Sequence, residues 1–324
     1  MEFTTVHCCG SGSTGLLFQP CNNDYPCLKT LTFPYRLLMI STSGTISASI
    51  DSNENCYIWK DNIYTLALRN VVQVSCGWTH VLILTSDKVF VYGQGNHGQL
   101  GLGSICEAKV PESLNICGAV NISCGFRTSF VLVNDGFYAF GENSGYQLGF
   151  AHKEQVRIPI KNDRLGGLES IRSGNKHTLG FCQNELFVWG TNNFGQLGSK
   201  EKIQASPRRF DFLGKIKKIC CGWNHSVILL DNGVLLMAGK GKMGQQGNGK
   251  NEDQFEFTEI IQQVDDVESG TENVFVIKHG DLFAWGWNEH GNLATGDKLD
   301  RNIPTKVLSG VRKVFCGGAV SYFI

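Results

Sequence analysis

The chain has 324 residues, of which 39 are glycine and only 7 proline. Glycine stands well above its usual share of ~7%, and with so little proline this favours many tight turns over a disordered chain. A hydrophobic fraction of 42% supports a packed core, and 29 basic against 29 acidic residues, for a net charge of zero, argue against direct nucleic-acid binding.

In chain order, Gly10 opens GSGSTGLLF and stands where the first of two recurring motifs begins. Gly44 in TSGTISASI marks a worn copy of the second motif, and Lys60 in YIWK takes a first-motif place 16 residues later. From Val71 the pattern is plain. The second motif is a small residue or cysteine, a glycine, then an apolar run. It reads SCGWTHVLIL, SCGFRTSFVL, RSGNKHTLGF, CCGWNHSVIL, ESGTENVFVI and FCGGAVSYFI. Its glycines are Gly77, Gly125, Gly174, Gly222, Gly270 and Gly317, spaced 47 to 49 residues apart.

The first motif, apolar-Gly-x-x-x-x-Gly-Gln-Leu-Gly, gives YGQGNHGQLG, FGENSGYQLG and WGTNNFGQLG, with weaker copies AGKGKMGQQG and WGWNEHGNLA. Its glycines, Gly93, Gly141, Gly190, Gly239 and Gly286, each follow a second-motif glycine by 16 or 17 residues. Two signals locked in phase define one repeating unit. Each unit holds short apolar runs such as VLIL and KVFVYG, with turn pairs such as Asp135-Gly136 and Asn232-Gly233, and no helical stripe. Four short strands per unit, seven times over, describe an all-β, seven-bladed β-propeller. The expectation is one domain over residues 1–324, degenerate over 1–70 and well formed over 71–324. Lys60 and Gly77 are only 17 residues apart where other copies use 31 to 33, so that connection is expected to lack roughly a hairpin. The chain starts in the second half of a unit and ends in the first half of one. The two ends are therefore expected to share a sheet and close the ring.

These paired signatures, Cys-Gly-x-x-His with apolar-Gly-x-x-x-x-Gly-Gln-Leu-Gly, resemble the regulator of chromosome condensation repeat family, whose members form seven-bladed propellers. The resemblance is strong from Val71 to Ile324 and weak before it. The founding member is a chromatin-bound exchange factor for the GTPase Ran, with a basic tail and a long protruding hairpin. This chain shows neither. Its last blade, WGWNEHGNL with VFCGGAVSYFI, is similar to two other groups. One is the secretion-regulating guanine-nucleotide exchange factor. The other is the small propeller that pairs with the CSL zinc protein, which supports Elongator-dependent tRNA wobble-uridine modification and diphthamide synthesis. The resemblance implies a non-catalytic interaction propeller, with the CSL zinc protein as leading partner. Exchange on, or binding of, a small GTPase is the alternative, and a chromatin-enzyme adaptor is a third reading.

The residues themselves carry little chemistry. Three Gly-x-Gly-x-x-Gly strings start at Gly10, Gly93 and Gly239, but they fall on the repeat register and lead into loop and strand, not the helix a dinucleotide site needs. His80, His177 and His225 each sit three residues after a repeat glycine and read as groups bonding one blade to the next. Cys76, Cys124, Cys221 and Cys316 precede that glycine and read as compact core residues. Cys8, Cys9, Cys21 and Cys27 break the register without matching a zinc signature. No cofactor and no metal are expected.

The residue after the repeat glycine varies: Trp78, Phe126, Asn175, Trp223, Thr271 and Gly318. A position the fold leaves free, beside a turn, suits a partner contact, and tryptophan buries much area with few rotors. Trp78, Arg127 and Trp223, with Trp287, Glu289 and His290 of the last motif, are the candidate interface residues. A basic run over 200–218 and an acidic run over 251–272 are either solvated surface or docking patches. No apolar run reaches the ~18 residues of a spanning helix, and MEFTTVHCCGSGSTG lacks a signal-peptide pattern. The chain is expected to be a monomer by itself, off the membrane, in the cytoplasm with the nucleus also open to it.

Overall fold

The computed structural model describes residues 4–13, 15–17, 23–60, 63–211 and 214–324. These form seven antiparallel four-stranded sheets and no helix. We number them as blades. Blade 1 joins the two ends of the chain, and blades 2 to 7 follow in order over 37–68, 71–114, 119–162, 170–210, 216–261 and 266–309.

Within a blade the second strand is largely apolar, and in His80–Thr85 (HVLILT) and His225–Leu230 (HSVILL) it is buried at every residue. Continuous rather than alternating apolarity follows because both faces of that strand are covered by neighbouring blades. The outer strands are largely polar and exposed, and five carry a proline, Pro26, Pro111, Pro159, Pro207 and Pro304, which leaves the sheet edge poor in free N–H groups. Inner strands of successive blades touch in a closed ring around a central channel. The channel encloses about 250 Å³ and is lined by residues of all seven inner strands.

Ring closure is as the sequence suggested. In blade 1 the strand order is Tyr25–Phe33, Thr4–Gly10, Val320–Phe323, Val314–Gly317. The Tyr322 hydroxyl, fully buried, donates to the carbonyl of Leu16 at 2.7 Å.

Two expectations for the N-terminal units are corrected. Blade 2 lacks no hairpin. It has all four strands, Leu37–Ser43, Ile46–Asp51, Cys56–Lys60 and Ile63–Leu68. What is short is the connection from third to outer strand, which elsewhere carries the Gly-Gln-Leu-Gly segment. Nor is Gly44 a second-motif glycine. Thr42 pairs with Ser47 as Cys76 pairs with Val81, so Ser43 occupies the glycine place and Gly44 the variable place after it. The chain absorbs this slip of one in a longer turn over 52–55. The turn before Gly136 is Asn134-Asp135, with Val133 paired to Gly136.

The repeat residues clasp one blade to the next. Gln99 uses its side-chain oxygen to accept the His97 N–H at 2.9 Å and shape its loop. Its backbone carbonyl accepts the Ser129 hydroxyl of the next blade at 2.7 Å. The same carbonyl place recurs: Gln147 accepts from Thr178 and Trp189, Gln196 from Ser226, Gln245 from Trp285, and Asn292 from Ser321. His80 Nε2 meets Ser129 Oγ at 2.9 Å, and His177 meets Ser226 at 3.1 Å. His225 meets Ser269 at 2.9 Å. The spacing Gly-x-x-His follows from volume: a β-carbon on Gly77, Gly174 or Gly222 would lie within 2.3 Å of the imidazole three residues on.

Candidate functional site

In an antiparallel four-stranded blade, the turn from first to second strand and the loop from third to outer strand fall on the same side. We call this the upper face. Both candidate groups lie there. The two connections are tied by backbone bonds, with the N–H of Gln94, Glu142, Lys240 and Trp287 donating to the carbonyl of Thr79, Arg127, Asn224 and Glu272.

Trp78 of blade 3, Phe126 of blade 4 and Trp223 of blade 6 converge over the upper mouth of the channel. Their ring centroids are 5.0 Å apart for Trp78–Phe126, 5.5 Å for Trp78–Trp223 and 5.4 Å for Phe126–Trp223. The corresponding residues of the other blades are Gly318, Gly44, Asn175 and Thr271, small enough to leave the rings their space. A β-carbon on Gly44 would lie 2.2 Å from the Trp78 carbonyl oxygen and 2.7 Å from its indole. Backbone bonds between blades hold the layer: Trp78 N–H donates to Phe126 C=O at 3.1 Å and Trp223 N–H to Thr271 C=O at 2.7 Å. Each ring is half-buried, so each still shows a face to solvent.

Charge surrounds this cap. The Arg127 guanidinium lies 4.8 Å from the Phe126 ring centroid and 3.4 Å from the Glu142 carboxylate. Lys176 reaches the other oxygen of Glu142 at 3.9 Å. On the blade 6 and 7 side, Lys240 pairs with the buried Glu272 at 2.9 Å, and the Gln245 amide also donates to Glu272.

Trp287, Glu289 and His290 lie apart from the cap. Trp287 packs edge-on to His290 at 5.1 Å. His290 Nδ1 is 3.1 Å from Asp24, which Lys298 also contacts at 2.6 Å, so this group ties blade 7 to blade 1. Glu289 is exposed at the loop tip. The two charge runs meet at Lys218, which bonds Asp266 at 2.9 Å and Glu268 at 2.5 Å, and at Lys217, which bonds the Asp265 carbonyl, whereas Arg208, Arg209 and Lys215 pair with Glu201, Glu185 and Asp231 outside the acidic run.

The titratable repeat residues are built to be inert. Burial pushes His80 down to about 4 and His177 and His225 down to about 3, so all three are neutral at physiological pH. Burial pushes the Cys124 thiol up to about 12 and raises Cys76 well above its ordinary value. Twelve cysteines among the described residues are free thiols, and Cys21 lies outside those residues. Among the described residues no group of three or more His, Cys, Asp or Glu could hold a metal ion. The three Gly-x-Gly-x-x-Gly strings run into turns, not helices.

Phe126 is the cap member that the candidate residues omitted, although its register place was in view. Lys176, Lys240 and Glu272 were invisible because their proximity depends on which blades are neighbours.

A family model described as RCC1-like domain matches residues 5–323. The ultraviolet-B receptor UVR8 of Arabidopsis thaliana is 27% identical over 252 residues, covering 74% of this chain and 47% of that protein. The human probable E3 ubiquitin-protein ligase HERC4 is 29% identical over 265 residues, covering 79% of this chain and 21% of that protein. The chain thus spans about half of one curated relative and a fifth of the other. Among solved structures, human WBSCR16 superposes with a TM-score of 0.86 at 22% identity, covering 98% of both chains. Prp20p of Saccharomyces cerevisiae, whose structure was described with its binding properties to Gsp1p and histones, gives 0.86 at 20% identity, covering 98% of this chain and 90% of that one. At such identities the likeness is one of fold.

Proposed function

Since the chain belongs to the RCC1-like domain family, we propose that it acts as a non-catalytic docking propeller whose upper face holds a protein partner. The observation that carries this is the aromatic cap: Trp78, Phe126 and Trp223 gathered from three blades, half-buried and flanked by charge. Clustered aromatics with an adjacent arginine, centred in a polar rim, have the composition of an interface hot spot.

The partner we propose is the CSL zinc protein, with the propeller as its regulatory subunit in Elongator-dependent tRNA modification and diphthamide synthesis. The similarity of the last blade, WGWNEHGNL, to that group of propellers supports it. We place the complex in the cytoplasm, with the nucleus also open to it. Mixing the two purified proteins at micromolar concentration should give one complex in gel filtration, and two separate peaks would reject this partner.

A second reading, exchange on or binding of a small GTPase, draws on the fold shared with Prp20p, a protein described as binding Gsp1p. Release of labelled GDP from Ran-like or secretory GTPases should accelerate at saturating propeller if it holds. An unchanged release rate removes it.

A further inference from the structure

One contiguous strip runs from the channel axis to the rim of the upper face, and it alternates aromatic and cationic groups. From the cap, Phe126 passes to Arg127 at 4.8 Å. Arg127 and Lys176 share Glu142 at 3.4 and 3.9 Å. Lys176 packs on Gly145, where a β-carbon would lie 2.8 Å from its own Cβ. Next along the chain, Tyr146 holds the Lys153 ammonium 5.4 Å from its ring centroid. Arg127 and Lys176 therefore flank one carboxylate, which is the most covered of the three, at 14% exposure against 38% for Arg127 and 42% for Lys176, while beside Lys153 the Glu154 carboxylate is held by His152 at 2.9 Å.

Tyr146 breaks the repeat to be there. Its register place is Gly98, Gly195, Gly244 and Gly291 in four other blades, with φ of 83°, 87°, 81° and 73°. The residue before it is His97, Phe194, Met243 or His290 in those blades. Blade 4 reverses the order to Gly145-Tyr146, and Tyr146 takes the left-handed conformation at φ 63°. A bulky side chain in that region is disfavoured, and such outliers concentrate where a surface has a task. The reversal does two things at once. It lets Lys176 close on Gly145, and it sets an aromatic ring beside Lys153.

We propose that the strip Arg127, Lys176, Tyr146 and Lys153, continuous with the aromatic cap, receives a carboxylate-rich segment of the protein partner. This rests on the upper face being the docking face, but not on which partner docks. Discrete cations interrupted by Glu142, on a chain of zero net charge, suit separate carboxylates along a peptide. A nucleic-acid track instead needs an unbroken positive groove for a regular run of phosphates.

The test is fluorescence anisotropy of a labelled heptaglutamate peptide titrated with the full chain at low salt, beside a labelled uridine decamer. Saturable heptaglutamate binding is expected. It should fall about tenfold or more in a Lys153→Glu/Lys176→Glu variant, as expected for reversed charge at a contact. Tyr146→Gly should weaken it while raising the melting temperature, which separates lost contact from lost fold. Absence of saturable binding, equal binding by the charge-reversed variant, unchanged binding by Tyr146→Gly, or tighter binding of the uridine decamer would each overturn the proposal. A chain that captures heptaglutamate through the strip yet forms no complex with the CSL zinc protein would retire that partner and leave the strip standing.

Discussion

The indoles of Trp78 and Trp223 stand 5.5 Å apart although their blades, the third and the sixth, face each other across the channel. They meet only because Gly44, Asn175, Thr271 and Gly318 keep the intervening register places small. Gly44 is the tightest of these, with its missing β-carbon set against both the backbone and the indole of Trp78. Gly44→Ala should therefore push Trp78 aside, at a cost of about 1–3 kcal/mol. Near-ultraviolet circular dichroism and a thermal melt would show a changed tryptophan band and a lower midpoint.

Ser129 is the pin of one blade clasp. It is fully buried between His80 Nε2 at 2.9 Å and the Gln99 carbonyl at 2.7 Å. Ser129→Ala leaves both partners buried and unpaired, which should cost about 1–3 kcal/mol. A urea titration would read this as a lower midpoint with an unchanged slope. Blade 3 carries Val81 at the equivalent place, facing blade 2, whose third strand ends at Lys60 and whose outer strand starts at Ile63, too close in sequence to hold a Gly-Gln-Leu-Gly segment.

The buried histidines set an acid limit. His80, His177 and His225 titrate near 4, 3 and 3 in the folded chain against about 6.5 when unfolded. The folded values are depressed, so the unfolded chain binds more protons in that window. Stability is full above pH ~6.5 and falls as pH drops through it toward the folded values. Melting temperature should decline steadily from pH 6.5 to 4. Replacing one histidine, as in His225→Asn, which copies Asn273 at the same register place, should make that slope shallower.

Tyr146 and Ala294 hold left-handed backbone at places where the repeat uses glycine. Their φ values are 63° and 60°, and their register partners are glycines such as Gly98 and Gly101 at 83° and 69°. Tyr146→Gly and Ala294→Gly should each stabilise the fold by roughly 0.5–1 kcal/mol, the left-handed penalty less the entropy that glycine gains on unfolding. Differential scanning calorimetry would show midpoints about 1–3 °C higher for a chain of this size.

Most of the architecture was legible in the sequence because each blade repeats the same physical solution. The Gly-x-x-His spacing encodes a cavity for an imidazole. The Gly-Gln-Leu-Gly segment encodes a turn plus a carbonyl for the next blade. The N-terminal register slipped by one at Gly44 because the motif there has lost its cysteine, its histidine and its loop, leaving glycine alone to align on. The cap was half legible: the variable place named Trp78 and Trp223, but their contact depends on the diameter of the ring. The Arg127–Glu142–Lys176 cluster could not be read at all, since Lys176 belongs to the next blade. Tyr146 had left a trace, as the one tyrosine at a motif glycine.

The central claim is that the aromatic cap is where a protein partner binds. Isothermal titration of the purified CSL zinc protein into the wild-type chain and into Trp78→Ala/Trp223→Ala tests it directly, with circular dichroism to confirm that the variant is folded. The account predicts a complex of micromolar affinity or better that weakens at least about tenfold in the folded double variant, as expected for truncated hot-spot residues. Equal affinity of the two chains would place the docking surface elsewhere on the propeller and contradict the account.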